Sequence, residues 1–410
     1  MENRRVVITS LGALTPIGYT YSDFWDSVRG GKCGIAPITA YDTTGRGVTL
    51  ACEVRLDTET IIPVREARKM DRFTVLAVIA AREAIKNSGI SAETTDLSRA
   101  GILIASGIGG LSTIANEHSR GEERGYDKVS PFFIPMAIAN MAAGHVAIES
   151  GFTGPCSCVV TACAAGTNAV GDSMRMIRHG YADVMLCGGA DACVSELAIG
   201  GFTSMRALHT GSDSARASIP FDKERSGFVL GEGAGMLVLE ELEHAKARGA
   251  TIFAEVTGYG ESCDAYHITA PDPTGSGAVK AMQNAISDAG LSPADIGYIN
   301  AHGTSTPLND KGESLAIRNV FGASDVPVSS TKSMTGHMLG AAGAVEAIVC
   351  ALAVRDGFLP PNINLRERDP ECDLNIVTGD GLHAPVRHAM SNSFGFGGHN
   401  ATVIISRYED

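Results

Sequence analysis

Positive charge is in deficit: 33 Lys and Arg stand against 46 Asp and Glu, a formal net charge of -13. That balance argues against nonspecific nucleic-acid binding, which depends on basic groups displacing counterions. No uninterrupted apolar run reaches roughly 18 residues, so no segment reads as a membrane span. The start, Met1-Glu2-Asn3-Arg4-Arg5 followed by Val6–Thr9, has no long apolar stretch and is not read as a secretion signal. On that reading the ten cysteines are expected to be reduced thiols in the cytoplasm, most of them small buried hydrophobes. Cys156, Cys158 and Cys163 lack the paired C-x₂₋₄-C spacing of a zinc site. No G-x-G-x-x-G opens the first strand–helix turn, which argues against a dinucleotide site. Long Pro- or Ser-rich linkers are missing, so one compact unit is expected.

What is present is glycine, with 48 copies, and a 44% hydrophobic, 19% charged composition over 410 residues. Such a chain can bury one large core or two covalently joined halves. Apolar runs at Val6–Thr9, Gly101–Ser106, Cys158–Ala162, Val184–Gly188 and Gly235–Leu239 read as buried strands. So do Ile252–Thr257, Gly297–Ala301, Val326–Ser330 and Ala401–Ser406. Helical patterns fall between them at Arg72–Ser88, Ile138–Ser150, Ala164–Arg178, Ser276–Ala289 and Gly340–Arg355. The alternation predicts an α/β architecture. Ala84–Ser91 resembles Ala285–Ser292, and each segment closes a helix with Gly before a strand. Chance likeness of two amphipathic helices is the alternative. The shared order of flanking elements favours a duplicated half, with a boundary near residues 250/251.

Four constellations carry candidate chemistry. In Val159-Val160-Thr161-Ala162-Cys163-Ala164-Ala165-Gly166 an apolar strand is expected to run into a helix of small residues, with Cys163 at the junction. Unpaired N–H groups at a helix start favour thiolate over thiol; the plainer reading is a buried structural cysteine. His302 follows a strand in Asn300-Ala301-His302-Gly303-Thr304-Ser305-Thr306, at the edge where α/β sheets bind ligands. Alone, it also reads as a loop histidine bonded to backbone. Lys332 and His337 lie at the end of another strand, with Glu346 further along the following helix. Lys332 and Glu346 need partners if buried and otherwise read as an exposed ion pair. Asn392–Asn400 is a glycine–phenylalanine segment expected to form a mobile loop around Phe396. A basic run is also present. Arg65, Arg68, Lys69 and Arg72 recur at i, i+3, i+4 and i+7, one face of a helix if a single helix spans them; most such runs are solvated faces.

Together these motifs resemble the β-ketoacyl-acyl-carrier-protein synthases of thiolase fold, in their elongating branch. The resemblance runs from Gly12-Ala13-Leu14-Thr15-Pro16 to Phe396. It is carried by Thr161-Ala162-Cys163-Ala164, Asn300-Ala301-His302-Gly303-Thr304-Ser305-Thr306 and Lys332-Ser333-Met334-Thr335-Gly336-His337. It implies two similar α/β halves in a five-layered αβαβα arrangement, residues 1–250 carrying the nucleophile and 251–410 the histidines. It further implies a Cys163-His302-His337 triad, a supporting Lys332, and an oxyanion site at the backbone N–H groups of Cys163 and Phe396. Thr304 and Thr306 would bind a pantetheine arm; Ile108, Phe133 and Phe202 would line the acyl pocket, Phe133 near a homodimer contact. Asn300, Glu346, Ser391 and Asn392 match a group that in some relatives surrounds Na⁺ or K⁺; no other cofactor is expected. The implied partner is acyl carrier protein, acyl- and malonyl-loaded. Arg65, Arg68, Lys69, Arg72, Arg124, Lys128 and Arg206 are candidates for docking it. The implied reaction is decarboxylative condensation in fatty-acid elongation. The rivals are a type II polyketide ketosynthase and a non-catalytic chain-length factor. Thiolases add a cysteine in the C-terminal glycine loop, absent from Asn392–Asn400. Initiating condensing enzymes place Asn where His337 stands.

Overall fold

The computed structural model describes residues 4–322 and 325–409. The first half contributes β1 (Val6–Leu14), β2 (Ala100–Ala105), β3 (Cys156–Ser157), β4 (Val184–Asp191) and β5 (Gly233–Glu241). The second contributes β6 (Ala254–Cys263), β7 (Tyr298–Asn300), β8 (Pro327–Ser329), β9 (Asn375–Ile376), β10 (His388–Gly395) and β11 (His399–Ser406). They join in one 11-stranded sheet of order β9-β8-β7-β10-β11-β6-β1-β5-β4-β2-β3. The halves repeat one pairing scheme. In the first, β1 is antiparallel to β5, β5 antiparallel to β4, β4 parallel to β2 and β2 parallel to β3. In the second, β6 is antiparallel to β11, β11 antiparallel to β10, β10 parallel to β7 and β7 parallel to β8. Chance likeness of two helices does not produce a shared topology. The seam is the pairing of Val7 with Glu255 and Ile8 with Ala254.

The layers follow from which strands each helix touches. Helices α1 (Arg72–Ser88) and α2 (Met141–Ser150) cover the outer face of the first half. Helices α4 (Ser276–Asp288) and α5 (Pro307–Phe321) lie outside the second half. Between the halves run α3 (Ala165–Arg178) and α6 (Ala342–Asp356), each touching strands of both. Every residue of α6 from Ala342 to Val354 is buried, as a helix without a polar face must be. The two central helices approach through glycine: a Cβ on Gly166 would lie 2.6 Å from the Gly340 carbonyl oxygen, and one on Gly343 2.2 Å from Thr167 Oγ1. In β1 a register shift between Ile8 and Ser10 changes the parity, so Val6, Ile8, Leu11 and Ala13 all reach the central core. This is a mixed α/β, thiolase-like fold.

Two expected elements differ. Cys158–Ala162 is not a strand: only Cys156 and Ser157 pair, with Ile102 and Leu103. An apolar run implies burial, yet Val160 is 56% exposed. Asn392–Asn400 is not a loop but the end of a hairpin, with Asn392↔Thr402 through Gly395↔His399 in register. Only the tip carries unusual backbone angles, with φ of 85° at Gly397 and 75° at Gly398.

Candidate active site

Cys163 sits in a 3₁₀ turn, Ala162–Ala164, ahead of α3. Ala162 has φ 50°, in the left-handed region, which costs a non-glycine residue about 1 kcal/mol or more. The turn lifts a half-buried thiol into the pocket. The expected thiolate is not the resting state. Burial, the largest effect, pushes the thiol up to about 12, with Asp191 adding to it. Lys332 and the backbone N–H groups of Phe396 and Cys163 pull the other way. Those two N–H groups converge on the sulfur because β10 passes close by. A Cβ on Gly395 would lie 2.8 Å from the Thr161 carbonyl oxygen and 3.1 Å from the Cys163 nitrogen, so only glycine fits.

His302 follows β7. Its loop is held from behind: the N–H groups of His302 and Gly303 each donate to a different oxygen of Glu313 at 2.8 Å. Glu313 is on α5, buried, with its carboxyl pushed up to about 7 by desolvation. Nothing in the sequence separated Glu313 from other helical acids. The His337 N–H donates to the Val229 carbonyl at 2.8 Å. The ring of His337 meets that of His302 edge-on at 5.2 Å and that of Phe228 at 5.3 Å, while His302 lies 5.8 Å from Phe394. Ligand-type atoms of Cys163, His302 and His337 all lie within 4.8 Å of one another. Burial, then the nearby Lys332, hold both imidazoles well below the usual histidine range, so they are neutral.

Lys332 is 1% exposed and forms a salt bridge with buried Glu346. The exposed-ion-pair reading is therefore overturned, because both residues face the central core. Glu346 Oε2, Asn300 Oδ1 and Ser391 Oγ are buried without a hydrogen-bond partner among the described residues, and Ser391 pairs with Asn300 in register. Three unpartnered oxygens so placed fit a monovalent cation. The side chain of Asn392 does not join them: strand alternation turns it toward Thr402, which donates to it at 2.9 Å, and Glu313.

The triad lines a pocket of about 600 Å³. Thr304 and Thr306 line it too, their hydroxyls 2.9 Å apart, as do Phe202, Phe394 and Phe396. Ile108 and Phe133 do not line it. Ile108 is 36% exposed, its N–H tied to Asp191 at 3.3 Å, and Phe133 is half-buried on the short helix Phe133–Ala137. Sequence reasoning missed Asp264 and Leu308 in the wall.

The basic run does not share one helix face. A helix covers Val64–Ala67, the chain turns, and α1 starts at Arg72 behind the N-cap Asp71. Arg65, Arg68 and Lys69 are exposed. Arg72 is not free: it donates to Glu232 at 2.9 and 2.6 Å and to the Val54 carbonyl at 2.7 Å. Arg124 and Lys128 are exposed, and Arg206 lies exposed at the pocket mouth.

Two family models match: beta-ketoacyl synthase, N-terminal domain, over residues 3–245, and beta-ketoacyl synthase, C-terminal domain, over 253–366. A 3-oxoacyl-[acyl-carrier-protein] synthase 2 from Synechocystis is 48% identical, the match covering 100% of this chain and 99% of that protein. One of the same name from Staphylococcus aureus is 49% identical with the same coverage. Among solved structures, the ishigamide ketosynthase/chain length factor has a TM-score of 0.92 at 39% identity, covering 99% of this chain and 100% of that one. A type II polyketide ketosynthase in complex with its acyl-carrier protein has a TM-score of 0.93 at 33% identity, covering 100% of both chains. With both of its halves matched and a cysteine and two histidines converging between them, the chain belongs to the beta-ketoacyl synthase family.

Proposed function

We propose that this chain catalyses decarboxylative condensation of an acyl group with malonyl-acyl carrier protein, giving 3-oxoacyl-acyl carrier protein, CO2 and free carrier in fatty-acid elongation. The observation that carries it is the convergence of Cys163 with two neutral histidines at a pocket wall, under the N–H groups of Cys163 and Phe396. The Cys163 sulfur attacks the acyl thioester; its proton leaves with the carrier thiol as the new C–S bond replaces the old. Malonyl-carrier enters. Its carboxylate C–C bond breaks, CO2 departs, and the electron pair forms an enolate that neutral His302 and His337 stabilise as donors from Nε2. A neutral imidazole protonated at Nε2 already donates there, and burial beside Lys332 keeps both rings neutral. The enolate carbon attacks the acyl-cysteine carbonyl. The oxyanion is held by the N–H groups of Cys163 and Phe396, and collapse expels the cysteine sulfur, which takes up one proton from solvent to restore the thiol. Thr304 and Thr306 hold the pantetheine arm.

Three further readings go with it. Arg65, Arg68, Lys69, Arg124, Lys128 and Arg206 form the surface that meets an acidic carrier protein, where charge complementarity speeds and orients docking. A monovalent cation sits among Asn300, Glu346 and Ser391 and offsets the buried carboxylate, a structural role. The active form is a homodimer. Supporting this, β3 is the bare edge of the sheet, with exposed Ile108, Ile134, Ile148 and Val160 along that end. The polyketide reading is weaker, since the fatty-acid relatives are 48% and 49% identical against 39% and 33% for the ketosynthase structures. Mass spectrometry after incubation with acyl-carrier proteins of graded length tests the main reading. The wild type gains one acyl mass on Cys163 and the Cys163→Ala variant gains none; a Cys163→Ala enzyme that still condenses refutes it.

A further inference from the structure

One buried acid beside the site has no part in the mechanism above. Asp191 ends β4 and is fully buried. Its carboxylate accepts four hydrogen bonds: from Ser106 Oγ at 2.8 Å, and from the N–H groups of Gly107 at 2.7 Å, Ile108 at 3.3 Å and Gly340 at 2.7 Å. No salt bridge to a Lys or Arg is among them. The groups it holds come from both halves of the molecule. Ser106, Gly107 and Ile108 form the loop after β2; Gly340 lies in the turn Leu339–Ala341, which opens α6 just after His337.

The packing around this carboxylate leaves no room for a side chain at Gly340 or Gly189. A Cβ on Gly340 would lie 2.4 Å from the Gly107 nitrogen and 2.8 Å from Asp191 Oδ2, and one on Gly189 would lie 2.3 Å from the Gly340 carbonyl oxygen. A Cβ on Gly107 would come within 3.5 Å of the carbonyl oxygen of Ala162, the left-handed residue that presents Cys163. Leu339, at φ 49°, is strained on the other side and lines the pocket. One carboxylate thus holds together the segment behind the nucleophile and the segment that follows the second histidine.

We propose that Asp191 is a positioning residue of the condensation: its carboxylate clamps the Ser106–Ile108 loop to the start of α6, and so fixes Cys163 relative to His337. The proposal rests on the condensing activity argued above. Reacting groups displaced by as little as an ångström lose rate, not affinity, so the clamp acts on kcat and leaves KM for the carrier substrates nearly unchanged. The charge has a second, separable effect. The thiols that feel Asp191 are Cys158, Cys163 and Cys193, and each is made harder to ionise by it. Facing Cys163 from the other side are Lys332, His302 and His337.

Asp191→Asn keeps the volume, removes the charge and turns an amide toward N–H donors. Two readouts then move in opposite directions. Alkylation of the Cys163 peptide by iodoacetamide, followed by mass spectrometry across pH, is expected to speed up several-fold at fixed pH, because a charge that makes the thiol harder to ionise is gone. The kcat for condensation is expected to fall about tenfold with KM little changed. Ser106→Ala keeps the charge and loosens only one bond, so it should alkylate as the wild type does while kcat falls about threefold. Alkylation and kcat falling together in Asp191→Asn would mark a merely structural residue and overturn the proposal, as would a variant that matches the wild type in both. If Asp191→Asn does not fold, Ser106→Ala decides, and a wild-type kcat there overturns the proposal. A wild-type enzyme that fails to condense at all sinks the functional reading, and the alkylation comparison still reports on the charge.

Discussion

At the scale of the residue, most of the chemistry is set by what surrounds Lys332. Its ammonium adds to the burial that holds His302 and His337 neutral, opposes the rise of the Cys163 thiol and pairs with Glu346. Replacing it as Lys332→Met should let both imidazoles bind a proton more readily. The acid limb of the kcat/KM profile then moves to higher pH, whereas in the wild type it lies well below the ordinary histidine value near 6.5. Stability should respond through Glu346, whose folded-state carboxyl is already pushed up to about 7 from 4.5. A carboxyl raised on folding keeps its proton while the unfolded chain loses it. Stability therefore falls as pH rises between the two values, by at most about 1.4 kcal/mol per pH unit. Without Lys332 that window extends upward, so the urea midpoint of Lys332→Met should fall further behind the wild type at pH 8 than at pH 6. Equal gaps at both would show that Glu346 does not depend on Lys332. The cation reading is tested at the same carboxylate: Na⁺ or K⁺ should raise the melting temperature of the wild type above that in choline chloride, and Glu346→Gln should abolish the difference.

At the scale of the element, the turn between the Val64–Ala67 helix and α1 separates two kinds of arginine that the spacing alone made equivalent. Arg68 and Lys69 are exposed on the turn, while Arg72 opens α1 and pairs with Glu232, which is 2% exposed. Reversing Arg68 and Lys69 to Glu should raise KM for acyl-carrier substrates several-fold, an effect that shrinks at high salt, and leave turnover of small thioesters unchanged. Arg72→Glu should instead destabilise the protein by about 1–3 kcal/mol, because it leaves the buried Glu232 carboxylate without its partly exposed cation. Steady-state kinetics and denaturant unfolding separate the two outcomes. If Arg68 and Lys69 reversal costs both substrate types equally, the docking role fails. Local composition reported α1 well: the helix runs over Arg72–Ser88 as expected from its pattern, behind the N-cap Asp71 and up to Gly89. It failed at Cys158–Ala162, where an apolar run stays outside the sheet, and at the Phe396 segment, where glycines mark a hairpin tip rather than a loop.

At the scale of the whole molecule, the bare edge at β3 sets the expectation for assembly. A second copy adding its own β3 would pair the exposed N–H and C=O groups and cover the apolar residues beside them. Cys156→Pro removes an N–H on the side of β3 that faces away from β2, so sedimentation should show a dimer for the wild type and a monomer, or a weakened dimer, for the variant; a wild type that sediments as a monomer rejects the homodimer. The alternation of strands and helices and the repeated half were legible in the sequence, and the motifs named Cys163, His302, His337, Thr304 and Thr306, which meet at one pocket, because each depends on residue identity, short-range period or a motif of fixed spacing. Glu313 behind the His302 loop, Arg72 spent on Glu232, Ile108 turned out of the pocket, and the buried state of Lys332 and Glu346 were not legible. Arg72–Glu232 and Ile108–Asp191 join distant segments, and the other two depend on how a strand end and the next helix fold back on each other; none of these contacts follows a local period. The sequence by itself determined which atoms could react. Whether Cys163 is a thiolate or a resting thiol, and whether the histidines carry charge, was decided only by tertiary structure. The reason is physical: ionisation depends on how much water the fold removes and which charges it brings near, and neither is a property of a residue's neighbours in the chain.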